Sequence, residues 1–152
     1  MIRFEKTMIT FTEVPDEISL CINCTCCPLR CKGCFEPWLR ENSGEILTKS
    51  KLSEILWHNQ NITCVCFMGG INDYEMLAEL MQEAKEWGLK IAIYSGHDYI
   101  EPIIEPFVDY YKIGPYNPKY GPLNSLTTNQ RFYKKENNTW IDITYKFQQE
   151  RV

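Results

Sequence analysis

Short apolar runs alternate with amphipathic stretches along most of the chain. EISLCIN, from Glu17 to Asn23, reads as a strand, and ITCVCFM (Ile62 to Met68), LKIAIYS (Leu89 to Ser95) and VDYYKIG (Val108 to Gly114) repeat its concentration of β-forming residues. Between these runs the apolar period lengthens. Leu52, Ile55 and Leu56 share one face of a helix predicted from about Ser50 to Asn59. Leu77, Leu80, Met81, Ala84 and Trp87 share one face of a second helix, which Asn72 or Asp73 can cap and Gly88 stops. The spacing Asn72-x-x-Glu75 favours Asn72 as that cap. Pro102 and Pro106 keep the segment from Asp98 to Phe107 short or irregular, and another short segment is expected from Pro37 to Arg40. PYNPKYGPLNSLTTN has the prolines and glycine of an ordered loop, and RFYKK and TWIDITYK flank Glu136-Asn137-Asn138 as a hairpin. The opening run IRFEKTMITFTEV can also be extended.

Strand-then-helix alternation predicts an α/β fold with mainly parallel strands, right-handed crossovers and a C-terminal β-hairpin. Functional loops of such folds gather at the carboxyl ends of the parallel strands. The cysteine-rich loop after Asn23, Gly69-Gly70, Ser95-Gly96 and Gly114-Pro115 all fall at that end. No internal repeat, low-complexity stretch or long linker interrupts the pattern, so residues 1–152 are read as a single domain. That length is too short for a complete eight-stranded α/β barrel, which takes about 250 residues.

The formal net charge of -4 argues against a nucleic-acid or membrane-surface binder, because phosphate binding calls for a clustered cationic face. No window approaches the ~20 apolar residues of a membrane span. MIRFEKTMITFTEVPDE places charges where a signal peptide is apolar, so a cytoplasmic location is expected. In that reducing compartment the eight cysteines are not a disulfide framework. Cys64 and Cys66, inside an apolar run, read as buried thiols.

The other six cysteines crowd into CINCTCCPLRCKGC, from Cys21 to Cys34, and thiolates so placed can hold zinc or an iron–sulfur cluster. Cys21, Cys24, Cys27 and Cys31 have the C-x2-C-x2-C-x3-C spacing of a bacterial ferredoxin, but Lys32 stands where that motif continues with proline, and no second set follows. A zinc site could draw on Cys24, Cys27, Cys31 and Cys34, with its ligand pairs closer together than is usual. A third set, Cys27-x3-Cys31-x2-Cys34, leaves a four-iron cluster one ligand short, and an open iron is what a reactive centre needs.

The run CPLRCKGCF resembles the three-cysteine motif of radical S-adenosylmethionine enzymes. Within them the chain is similar to the activases of anaerobic ribonucleoside-triphosphate reductases. The likeness covers most of the sequence: EISLCIN feeding CPLRCKGCFEPWL, FMGG after the second strand, YSG after the third, and VDYYKIGPY with SLTTNQRFY. It implies a partial, incomplete radical-SAM-type β/α barrel. It also implies that Cys27, Cys31 and Cys34 hold a [4Fe-4S] cluster whose fourth iron binds the amino and carboxylate groups of S-adenosylmethionine. A low-potential electron, from a donor such as flavodoxin, would break the bond from the sulfonium to the 5′ carbon. The resulting 5′-deoxyadenosyl radical would take the α-hydrogen of a glycine in the large subunit of the reductase. No catalytic residue beyond the cluster ligands is implied.

By the same resemblance Phe35 packs near the adenine, with core packing as the alternative. Met68-Gly69-Gly70 contacts the methionine amino group. Many relatives continue that turn with glutamate; here Ile71 stands in its place, leaving Asn72, Asp73 or backbone carbonyls to supply the contact. Lys32, Gly33 and backbone amides can hydrogen-bond cluster sulfides. Ser95 and Gly96, a hydroxyl and an unhindered backbone at a strand end, suit a polar ligand such as a ribose or carboxylate. Asn129, Gln130 and Arg131 either bind the carboxylate or adenine edge or order the C-terminal loop. His97 reads as a turn residue and His58 as solvated. Tyr110, Tyr111, Tyr116, Tyr120 and Tyr133 read equally as packing or as a docking surface. Cys21, Cys24 and Cys26 have no place in the three-cysteine scheme and are left to strand packing, a redox-sensitive side role or another metal. Two rivals remain: a ferredoxin-type electron-transfer protein, and an activase of another glycyl-radical enzyme, of the pyruvate formate-lyase type.

Overall fold

A computed structural model of the chain describes residues 1–25, 44–69 and 71–148. At its centre lie four strands that the apolar runs predicted: β2 (Ser19–Cys24), β4 (Cys64–Gly69), β5 (Lys90–Tyr94) and β6 (Tyr110–Ile113). They pair in parallel in that order. Every residue of β2 is buried, as expected of a parallel strand covered on both faces. Two helices, α1 (Lys49–Trp57) and α2 (Tyr74–Glu86), make the crossovers from β2 to β4 and from β4 to β5, and a 3₁₀ turn, Glu105–Phe107, precedes β6.

Flanking strands run the other way. β1 (Arg3–Thr10) is antiparallel to β2, and β3 (Glu45–Ile46) is antiparallel to β1. On the far side β7 (Arg131–Glu136) is antiparallel to β6, and β8 (Thr139–Asp142) to β7. The result is an open eight-stranded sheet of order β3-β1-β2-β4-β5-β6-β7-β8. Parallel pairing is confined to its centre, less than the mainly parallel sheet expected. The reason is local: no helix separates β1 from β2 or β6 from β7, and a chain that turns straight back pairs antiparallel. Asn137 and Asn138, with φ of 50° and 61°, form the two-residue β7–β8 turn, whose left-handed backbone asparagine tolerates.

The two faces of the sheet differ. Leu20, Ile22, Val65, Phe67, Ile91 and Ile93 point to the helices, where they meet Leu52 and Leu56 of α1 and Leu77, Leu80, Met81 and Ala84 of α2. Full burial of each such side chain is worth about 1.5–3 kcal/mol. The opposite face is lined by smaller groups, Cys21, Cys64, Cys66 and Ala92, with Tyr110 and Phe132. Val14, Leu123 and Ile143 cover it. Thr48 caps α1, accepting from the Lys51 amide at 3.1 Å. Asp73, not Asn72, caps α2, accepting from the Met76 amide at 3.0 Å and also pairing with the Met1 ammonium. Trp87 is not a fifth member of the buried face: α2 ends before it, and it is 38% exposed. No helix among the described residues is long and apolar enough to cross a membrane.

Candidate functional site

The parallel register brings the carboxyl ends of the central strands to one rim. Cys24 pairs with Gly69, and one residue lower Asn23, Met68, Tyr94 and Lys112 form a continuous row across β2, β4, β5 and β6. Alternation along β2 puts Asn23 on the same face as Cys21, away from the helices. Asn23 is 2% exposed. Across the row the Tyr94 hydroxyl donates to the Glu13 carbonyl, tying the loop after β1 over this face.

Lys112 is 8% exposed, and its ammonium donates to the carbonyls of Ser95 at 3.0 Å and Gly114 at 2.8 Å. One charged side chain thus fastens together the two turns that leave β5 and β6. The Ser95 amide donates to the Lys112 carbonyl at 2.9 Å, and the Gly114 amide to the His97 carbonyl at 2.8 Å. Ser95 Oγ accepts from the His97 amide at 3.0 Å, so His97 is a turn residue as read. Gly96 follows Ser95 in the bend. Gly114 has φ of 97°, and a Cβ there would meet Asn129 O and Gln130 Cα, each at 3.3 Å. Conformation and crowding both require glycine.

Asn129, Gln130 and Arg131 make loop-ordering contacts. Asn129 Nδ2 donates to the Pro115 carbonyl at 3.1 Å and Gln130 Nε2 to the Gly114 carbonyl at 3.2 Å. Arg131 pairs with Asp142 of β8 at 3.3 Å, with both partners well exposed. Met68 packs against the small-residue face, and Gly69 ends β4 at φ of 87°. Ile71 is buried against the helices and offers no polar atom, while the Asp73 carboxylate is engaged as the α2 cap. Tyr110 is core; Tyr111 and Tyr133 stack at 5.4 Å on each other with Trp140 edge-on, so these three tyrosines pack rather than dock. Cys26, Cys27, Cys31, Lys32, Gly33, Cys34, Phe35, the segment 37–40 and Gly70 lie outside the described residues.

The described cysteines sort themselves by face. Cys24 points into the helix-side core, whereas Cys21, Cys64 and Cys66 lie on the opposite face. Burial pushes the thiols of Cys24 and Cys64 up to about 12 and raises that of Cys66 as well. Metal ligation needs thiolates. Among the described residues no group of Cys, His, Asp or Glu could hold a metal ion. Of the ferredoxin-type set, β2 holds Cys21 and Cys24 on opposite faces. Cys27, Cys31 and Cys34, which follow β2 in sequence, remain as donors of the right chemistry for a cluster.

Asn23 and Lys112 are the rim residues that reading the sequence missed. The signal was present: in Ser19-Cys21-Asn23 and in Tyr110-Lys112 a polar side chain occupies an inward position of a period-two strand. A cavity of about 640 Å³ opens at the other end of the sheet between Trp57, Trp87, Glu17 and Lys90, away from this rim.

A family model described as a 4Fe-4S single cluster domain fits residues 18–113, from the start of β2 to the end of β6, more than half of the chain. No curated protein matches the chain.

Proposed function

Because the chain belongs to the 4Fe-4S single cluster domain family, we propose that it is a radical S-adenosylmethionine activase acting on a glycyl-radical enzyme, of the anaerobic ribonucleoside-triphosphate reductase type. The observation that carries this reading is the shared rim. The strand that runs into Cys27-x3-Cys31-x2-Cys34 ends level with Met68-Gly69, Tyr94-Ser95 and Lys112-Gly114, so a ligand on an iron left open by three cysteines would lie against those strand ends. When bound, the cluster supplies the electron that cleaves S-adenosylmethionine to methionine and a 5′-deoxyadenosyl radical, which takes hydrogen from a glycine of the partner protein.

The chain's own residues bind, orient and shield. Cys27, Cys31 and Cys34 would hold the cluster, with Phe35 beside the adenine. Gly69 and Gly70 let the backbone approach the ligand closely. Ser95 and Gly96 offer a hydroxyl and an unhindered backbone, kept in place by the Lys112 ammonium. Asn129 and Gln130 hold the opposite turn through the Pro115 and Gly114 carbonyls, and Arg131 anchors the start of β7. Below the rim, Val14, Leu123 and Ile143 keep water from the small-residue face. An open sheet, the proposed partial barrel, cannot wall off a radical alone, so the reductase large subunit would complete the enclosure. A flavodoxin-like donor would supply the electron.

Anaerobic reconstitution tests this. Four irons and four sulfides per chain, and a paramagnetic spectrum that changes on adding S-adenosylmethionine, are expected, with 5′-deoxyadenosine formed under reducing conditions. Cys27→Ala, Cys31→Ala and Cys34→Ala should each abolish turnover. A cluster indifferent to S-adenosylmethionine would overturn the activase reading in favour of electron transfer. Incubation with reductase and with pyruvate formate-lyase type enzymes then identifies which one acquires the radical.

A further inference from the structure

The cavity at the amino ends of the central strands takes no part in the chemistry proposed for the rim. It measures about 640 Å³, within the range of small-molecule pockets, and it lies where both crossover helices end. Leu56 and Ile62, both buried, give it apolar lining. Trp57, the last residue of α1, and Trp87, the cap after α2, also line it and are 64% and 38% exposed. Indoles left open around a concave surface suit recognition, because each offers a large apolar face and a polar edge.

The charges around the cavity favour a cation. Glu17, part of its wall, is only 9% exposed, and a buried carboxylate is costly unless a cation or donor lies close. Its partners are distant: the Tyr110 hydroxyl donates at 3.4 Å, and the Lys90 ammonium stands 3.7 Å away. Close charge-assisted bonds are about 2.7–2.9 Å long. Lys90 is half-exposed on a flexible stem, which makes it a replaceable counter-ion. The negative ends of α1 and α2 act in the same direction as Glu17. α1 has no basic residue in its last turn, and the one in α2, Lys85, is paired with Asp109. Asn59 and Gln60 spend their amide nitrogens on the Ile55 and Trp57 carbonyls, at 2.8 and 3.0 Å, which leaves carboxamide oxygens as acceptors beside the cavity.

We propose that this cavity binds an organic ammonium ion with an apolar body, the ammonium displacing Lys90 from the Glu17 carboxylate and the body lying against the indoles of Trp57 and Trp87. Indole faces attract cations as well as apolar groups. An organic anion would instead meet a carboxylate and two helix ends of the wrong sign. The site is away from the rim, so it stands whether or not the chain is an activase.

The probe is phenethylamine, titrated into the full chain loaded anaerobically with its cluster. Binding is followed by NMR through the indole N–H signals of Trp57 and Trp87, assigned with Trp57→Phe and Trp87→Phe. Both signals should shift and saturate. 2-Phenylethanol, the same body without the charge, should bind about tenfold more weakly or worse, the weight of one hydrogen bond to a charged group. Glu17→Gln should weaken phenethylamine by a similar factor and leave 2-phenylethanol unchanged. Lys90→Met, which removes the competing cation, should tighten phenethylamine about twofold or more. Trp57→Ala alters an exposed side chain, so it should keep the native unfolding temperature and, read at Trp87, lose about threefold in affinity. Should Glu17→Gln not fold, the neutral probe, Lys90→Met and Trp57→Ala decide the matter without it. Signals that do not saturate, equal binding of the two probes, undiminished binding by a folded Glu17→Gln or by Trp57→Ala, or weaker binding by Lys90→Met would each overturn the site.

Discussion

Replacing Gly114 by alanine tests how the rim is built. Its φ of 97° lies in the left-handed region, where a residue with a Cβ costs about 1–3 kcal/mol. The added methyl would also press on Asn129 O and Gln130 Cα, each 3.3 Å away, and crowding of that kind adds at least ~1 kcal/mol. The sum, roughly 2–4 kcal/mol, corresponds to a fall of about 4–16 °C in Tm for a chain of this length. Gly88→Ala is the control. Its φ of 78° carries the same kind of backbone cost, but nothing lies within 4 Å of a Cβ there, and it sits before β5 at the other end of the sheet. About 1–2 kcal/mol, or roughly 2–8 °C, is expected. Thermal unfolding by circular dichroism, with S-adenosylmethionine binding measured on the loaded proteins, separates the two. Gly114→Ala should fall further and also bind the ligand more weakly, because it moves Asn129 and Gln130. An equal or smaller fall at Gly114, with binding intact, would refute the account of the rim.

Alkylation of the folded chain with iodoacetamide at pH 8 should spare Cys21, Cys24, Cys64 and Cys66, which are buried and, for the last three, held protonated. In denaturant all four should react, and mass mapping that finds Cys24 labelled before unfolding would contradict its place in the core. Asp73→Ala should cost about 1 kcal/mol and some 2–4 °C in Tm by uncapping α2, whereas Asn72→Ala should do little; the reverse order would restore Asn72 as the cap. The Asp16 carboxyl is held below its ordinary 3.8 by the hydrogen bond and charge of Lys146. Whatever stability this pair contributes is present above that ordinary value and lost as pH falls through the lowered one. In Lys146→Ala the Asp16 carboxyl, followed by NMR, should titrate closer to 3.8, and an unmoved midpoint would deny the pairing.

What could be read from residues alone followed from how local its cause is. The apolar runs of β2, β4 and β5 announce themselves because most of their residues are buried on both faces, β6 alternates buried with half-buried positions, and Leu77, Leu80, Met81 and Ala84 keep strict helical spacing. β3 is two residues long and leaves no periodic trace. The direction in which β1 and β7 pair depends on how the chain returns through the loops at 11–18 and 114–130, which no strand signature records. Asp73 outcompeted Asn72 as a cap although both are good capping residues, and Trp87 had helical spacing but fell past the helix end. In the site, glycines and Ser95 mark strand ends and were legible. The burial of Asn23 and the bracing ammonium of Lys112 were not, because their meaning comes from neighbours far away in sequence.

The stretch that fits the family stops at residue 113, but the sheet does not. A fragment cut there would bare the backbone edge of β6 and lose Phe132, whose ring lies 5.8 Å from that of Tyr94 and 6.2 Å from that of Tyr110. It would also lose Gly114 itself, whose carbonyl accepts from the Lys112 ammonium at 2.8 Å. The terminal hairpin is therefore a gable wall and not an ornament: any shortened version meant to keep the β6 edge covered and its mouth in shape has to run past Phe147, which packs 4.9 Å from Phe132.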